Sequence, residues 1–275
     1  MARELPLGER TIRRLRVYGG RALRGATGHK CLFLHLPKCG GTSVAEALYA
    51  TVPLWARITV LDAEATRRAA AILHSGVDDP LLGHEDLERG AETFRLREEI
   101  MLTQMAWGSP LIHGHVLWSE AMERHFGQSY RIVTLMRDPV ERMISNYRMA
   151  RTRGIAPADF GAYLESPLAR AHALVFLRYL SGVAHPAEAD VPDLLALALA
   201  RLARFDVIGF LDDLPGFAAL YERRIGVRPR IGHYNVGQGS AAVPDAAQMR
   251  HIQALCAPDL QIYAQARGLT RTAAA

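Results

Sequence analysis

The chain lacks most of the features that mark specialised protein classes. Its three cysteines, Cys31, Cys39 and Cys256, are too few and too scattered among 275 residues for a disulfide framework, which fits a reducing compartment. No apolar run reaches the roughly 18 to 20 residues that a membrane-spanning helix needs. The most apolar windows, Asp193 to Leu202 and Arg170 to Leu180, are short and amphipathic. The first 28 residues are rich in arginine but have no apolar core segment, so they do not read as a secretory signal, and a cytoplasmic location is expected. Aromatic residues make up only 7% and no nucleic-acid-binding module is visible, so nucleic acid is not an expected partner. Internal repeats and low-complexity linkers are absent as well. Lysine is the scarcest charge: only Lys30 and Lys38 occur, and every other one of the 33 basic residues is arginine.

What remains is ordinary globular material. The chain is 49% apolar with a net charge of +5, enough for one sizeable core. Short apolar runs predict strands over Cys31 to Leu36, Ile58 to Leu61, Leu111 to Val116, Ile132 to Met136 and Val207 to Phe210. Helical periodicity covers Thr42 to Ala50, Glu85 to Thr103, Pro139 to Arg151, Pro167 to Leu180, Pro192 to Arg204 and Leu214 to Ile225. Strands alternating with helices predict an α/β fold, a parallel sheet covered on both faces, within one domain over 29–270. Residues 1–28 form a basic extension in which Ile12, Leu15 and Tyr18 interleave with arginines at helical spacing. This makes it a candidate for peripheral membrane contact, with a solvated helix as the plainer reading.

Lys38 lies in Cys31-Leu-Phe-Leu-His-Leu-Pro-Lys-Cys-Gly-Gly-Thr-Ser-Val44. In a chain that otherwise uses arginine, a lysine on a glycine turn points to a compact point charge facing an anion. Strand, turn and helix follow in order, and unpaired N–H groups at a helix start favour phosphate. Gly40 and Gly41 would admit a ligand close to the backbone, while Thr42 and Ser43 add hydroxyl donors. Cys39 beside such a site is either a thiol of lowered pKa or a passive small residue. The lysine precedes the glycines, so the nucleoside triphosphatase P-loop order is not met.

A second segment, Arg131-Ile-Val-Thr-Leu-Met-Arg-Asp-Pro-Val-Glu-Arg-Met-Ile-Ser-Asn-Tyr147, predicts a buried strand and then a helix. Asp138 is its N-cap, Pro139 its first residue and Glu141 the acid of a capping box. Arg137 at the strand end and Ser145 on the helix, on one face with Glu141 and Arg142, can grip one anion from two sides. Between the segments, Ile112-His-Gly-His-Val116 alternates so that His113 and His115 share a strand face, and histidine is the side chain best suited to take a proton near neutrality.

Together these motifs resemble those of sulfotransferases that use 3′-phosphoadenosine 5′-phosphosulfate (PAPS). Leu36-Pro-Lys-Cys-Gly-Gly-Thr-Ser43 resembles the 5′-phosphosulfate loop, and Arg137 to Tyr147 the 3′-phosphate segment. His113-Gly-His-Val116 and Phe205 to Leu214 are similar to the heparan sulfate and uronyl 2-O-sulfotransferase branch. The resemblance implies a P-loop-like three-layer fold and a carbohydrate-type sulfotransferase using PAPS as co-substrate, with no metal required. Pro37, Lys38, Gly40, Gly41, Thr42 and Ser43 would hold the 5′-phosphosulfate, Arg137 and Ser145 the 3′-phosphate, and Asn235 and Gly239 a closing loop. It further implies that Lys38 meets the leaving oxygen, that His115 is the base and that His113 supports it. The implied acceptor is a hydroxyl on a glycan or glycolipid. Nothing in the sequence fixes an oligomeric state, and residues 55–107 carry no likeness. Two readings compete: a phosphotransferase using ATP and Mg²⁺ held by Asp138, and a non-catalytic nucleotide-binding protein of the same fold.

Overall fold

The computed structural model describes residues 7–22, 30–232 and 244–272. Its strands are β1 (Cys31–Leu34), β2 (Ile58–Leu61), β3 (Leu111–Gly114), β4 (Arg131–Met136) and β5 (Val207–Phe210), joined in one parallel sheet in the order β2-β3-β1-β4-β5. Helices flank both faces, so the α/β expectation holds. They are α1 (Leu7–Ala22), α2 (Gly41–Tyr49), α3 (Ala63–Ser75), α4 (Gly90–Ala106), α5 (Glu120–Phe126), α6 (Pro139–Thr152), α7 (Phe160–Leu164), α8 (Pro167–Ala173), α9 (Val175–Ser181), α10 (Val191–Arg201), α11 (Leu214–Ile225), α12 (Ala246–Leu255) and α13 (Ala257–Thr272). Among the described residues no helix is long and apolar enough to cross a membrane.

Strand alternation sorts the core into two layers. Cys31, Phe33, Leu111, Val133 and Val207 pack on α2 and α11 through Val44, Leu48, Phe217 and Tyr221. Leu32, Leu34, Ile112, Ile132 and Ile208 pack on the other side with Phe176, Leu177 and Met101. Each fully buried side chain of this kind contributes about 1.5–3 kcal/mol.

Where the elements depart from sequence expectation, polar side chains decide. β1 and β3 stop two residues short because the carbonyls of His35 and His115 are taken by the His115 ring and by Arg97 instead of by the ladder. The expected helix from Glu85 begins only at Gly90, since Glu85 and Asp86 turn inward to Arg97 and Arg178. The run Pro167 to Leu180 breaks at Leu174, because Asp259 caps a new helix by accepting from the N–H groups of Phe176 and Leu177 at 2.7 and 2.9 Å. Every residue of α9 is consequently buried, which makes it core.

Candidate functional site

In this sheet the chain leaves β1 towards β2 on one side and leaves β4 towards β5 on the other. The carboxyl ends of β1 and β4 therefore border the crevice where open parallel sheets hold ligands. The turn Pro37 to Gly40 and the Arg137 end of β4 meet there.

Two features of the turn set it apart. Helix α2 is capped by Gly40, at φ 79°, with no side-chain cap and no acid in its first turn, so the N–H groups of its first turn face outward with the positive end of the dipole. Helices α3, α6 and α11 carry side-chain caps, from Asp62, Asp138 and Asp213, while α4 and α10, which also lack one, have an acid in the first turn. Lys38, at φ 63°, is the one non-glycine residue in the left-handed region among the described residues. Such strain costs about 1–3 kcal/mol and collects at functional sites.

The ammonium of Lys38 reaches over α6 to Met149 Sδ at 3.7 Å, and no carboxylate pairs with it among the described residues. Burial, then the charges of Arg153 and Arg137, hold its pKa below the ordinary 10.5. Arg137 pairs with Glu141 at 3.1 Å, one turn along α6. Glu141, Ser145 and Met149 succeed one another at spacings of four, one stripe of the helix. Lys38, Arg137, Ser145 and Arg153 thus border one region, beside exposed Glu141. Thr42 is exposed at the mouth and Ser43 is buried beneath it.

Several expectations are corrected. Glu141 completes no capping box, because its carboxylate goes to Arg137. Arg142 does not share Ser145's outward face: it is fully buried, donates to the His172 carbonyl and lies 3.5 Å from Asp259. Cys39 is buried and its thiol pushed up to about 12, so it is passive packing. Gly41 has a packing reason to be glycine as well: a β-carbon there would lie 1.9 Å from His35 Nε2. Asn235 and Gly239 lie outside the described residues.

His35 is the residue that sequence reasoning missed. The β1–β3 register pairs Phe33 with His113, so His35 and His115 continue the same face. His35 Nδ1 lies 2.9 Å from His113 Nε2, and His113 Nδ1 lies 2.6 Å from the hydroxyl of Tyr49 at the end of α2. The His35 ring also stacks on His115 with centroids 4.3 Å apart. Both nitrogens of His113 are therefore engaged within the protein, whereas His115 differs. Its Nδ1 is 2.7 Å from the His35 carbonyl, which can only accept, so Nδ1 carries the proton and Nε2 is left as a lone pair. That Nε2 has no partner among the described residues. Burial, then Arg97, keeps His115 neutral down to about 4, and burial holds His113 to about 3.

Two measurements follow. Gly41→Ala should destabilise the fold by about 1–3 kcal/mol, since the His35 ring is locked by its partners and cannot retreat. Adding His35→Ala should recover at least about 1 kcal/mol of that loss in urea unfolding, and a harmless Gly41→Ala would contradict the close packing. As for pH, His115 binds a proton far more readily unfolded, near 6.5, than folded. Stability is thus intact above pH 6.5 and declines as pH falls towards 4, by up to about 3 kcal/mol for this residue. Urea midpoints across that range should show this slope, and His115→Gln should reduce it, leaving the share of His113.

No protein-family model matches this chain, and neither does any curated protein.

Proposed function

We propose that the chain is a PAPS-dependent sulfotransferase with a P-loop-like binding turn. The observation that carries this reading is the pairing of an uncapped, glycine-led helix start with three cations, Lys38, Arg137 and Arg153, around a region with one exposed carboxylate. The residues present suit a doubly anionic nucleotide. The α2 amides with Thr42 take its 5′ end, and Arg137 with Ser145 takes a 3′-phosphate. PAPS supplies the sulfuryl group, carried on an anhydride-like oxygen.

The chain's own residues do the rest. The acceptor hydroxyl gives its proton to His115 Nε2 as its oxygen bonds to sulfur in line with the departing oxygen. The bond from sulfur to that bridging oxygen breaks, and Lys38 stabilises the negative charge left on the nucleotide. His113 and Tyr49 hold His35, whose carbonyl fixes the tautomer of His115. The acceptor class we infer is a hydroxyl of a glycan or glycolipid. The phosphotransferase reading is less favoured, because the carboxylate of Asp138 accepts the Glu141 N–H as a helix cap.

Thermal unfolding in the presence of nucleotides tests the reading. 3′-Phosphoadenosine 5′-phosphate should stabilise by about 2.7 kcal/mol at a hundredfold excess over Kd. Adenosine 5′-phosphosulfate, which lacks the 3′-phosphate, should do much less, and Arg137→Ala should abolish the difference. Stabilisation by ATP with Mg²⁺ alone would overturn the proposal. Transfer of ³⁵S from labelled PAPS into candidate glycans and glycolipids then identifies the acceptor.

A further inference from the structure

Helix α1 is built inside out. It meets the rest of the protein through Gly20 and Arg21: a β-carbon on Gly20 would come 3.0 Å from Ala50 Cβ. Arg21 donates to the carbonyls of Val52, Pro53, Leu54 and Ala56 at 2.7 to 3.2 Å. Its apolar stripe, Ile12, Leu15 and Tyr18 at spacings of three, points away and is 51, 64 and 54% exposed. The loop that Arg21 holds adds Leu54 and Trp55, 49 and 74% exposed. A surface helix ordinarily buries its apolar stripe on its own core; one that turns it outward, and whose Arg21 holds a loop with an exposed tryptophan, offers an interaction surface.

Charge selects the occupant. α1 carries five arginines against one glutamate, a net +4. A second copy would bring two such helices together in mutual repulsion. An anionic bilayer satisfies both the net positive charge of the helix and its exposed apolar stripe, with Tyr18 and Trp55 seated at headgroup depth. We propose that α1 and the loop 50–57 dock this protein on an anionic lipid surface. The loop joins the end of α2 to the start of β2, at the amino-terminal ends of the parallel strands, whereas Lys38 follows the carboxyl end of β1, so docking does not depend on the proposed chemistry.

Co-sedimentation of the full chain with vesicles of equimolar phosphatidylcholine and phosphatidylglycerol, against phosphatidylcholine alone, tests this. Binding is expected only to the mixed vesicles, weakened by high salt and by at least about tenfold in Leu15→Glu and in Trp55→Ser. Both substitutions are at exposed positions, so thermal midpoints and the response to 3′-phosphoadenosine 5′-phosphate should stay unchanged. The proposal fails if the wild-type chain does not sediment with mixed vesicles, if it binds neutral vesicles equally, or if Leu15→Glu binds like wild type. Self-association abolished by Leu15→Glu would make a second copy the occupant and overturn it as well.

Discussion

Lys38→Ala is expected to lower turnover about 10²–10³-fold while leaving the fold intact, the loss typical of removing one preorganised charge from a developing anion. The side chain is partly buried, is paired with no carboxylate among the described residues and lies beside Arg137 and Arg153, so its charge is little screened by its surroundings. Strain supplies the control. Lys38 stands at φ 63°, where glycine is at ease and alanine is not. Lys38→Gly should therefore be more stable than Lys38→Ala by about 1 kcal/mol, yet equally inactive. Lys38→Arg keeps the charge but replaces a compact ammonium with a planar fork at a strained position, and should recover only part of the rate. Steady-state kinetics of the three variants beside their urea midpoints separate charge from backbone. Lys38→Ala or Lys38→Gly at wild-type turnover would remove Lys38 from the chemistry, and Lys38→Arg at wild-type turnover would show that any cation serves there.

Much of the scaffold was legible because its signals are local. β2, β5 and α11 run over the residues that the sequence pattern marks, and α6 begins at Asp138 and Pro139 as a cap and first-turn proline require. The overlooked α3 also carried its punctuation, Asp62 at its start and Gly76 at its end, but its exposed Ile72 and Leu73 blur the periodicity. Long-range contacts defeat such reading. The break at Leu174 is imposed by Asp259, from a helix at the far end of the chain, and the late start of α4 by the arginines facing Glu85. The same limit applies to the candidate site. Lys38, Arg137 and the His113-Gly-His115 alternation stand in recognisable local patterns. The part played by His35 appears only once β1 pairs with β3, and Gly41, which reads as a ligand glycine, is explained by that ring.

Glu85→Ala should be the most destabilising single change near the site, by about 3–5 kcal/mol. The carboxylate is buried between Arg67 and Arg97, each at 2.5 Å. Burial pushes its pKa up, but Arg97 and then Arg67 outweigh that and hold it at about 2. Removing it strands Arg97, whose side chain is wholly buried, with an uncompensated charge. Arg97 also donates to the carbonyls of Ala63 and His115, at 3.1 and 3.0 Å, so the loss reaches the segment that aims the His115 ring. A fall in thermal midpoint on the order of 10 °C is expected for a chain of this size. In the wild-type protein this stabilisation is present above pH 4.5 and is lost as pH falls through the folded pKa near 2, below the window in which the histidines act. Glu85→Leu with Arg97→Met should be more stable than Glu85→Leu alone, because it removes both charges together. It should nonetheless impair turnover, because the His115 carbonyl loses its donor. If the double variant is as stable as wild type and fully active, Arg97 is packing only, and the orientation of His115 is set by the His35 carbonyl alone.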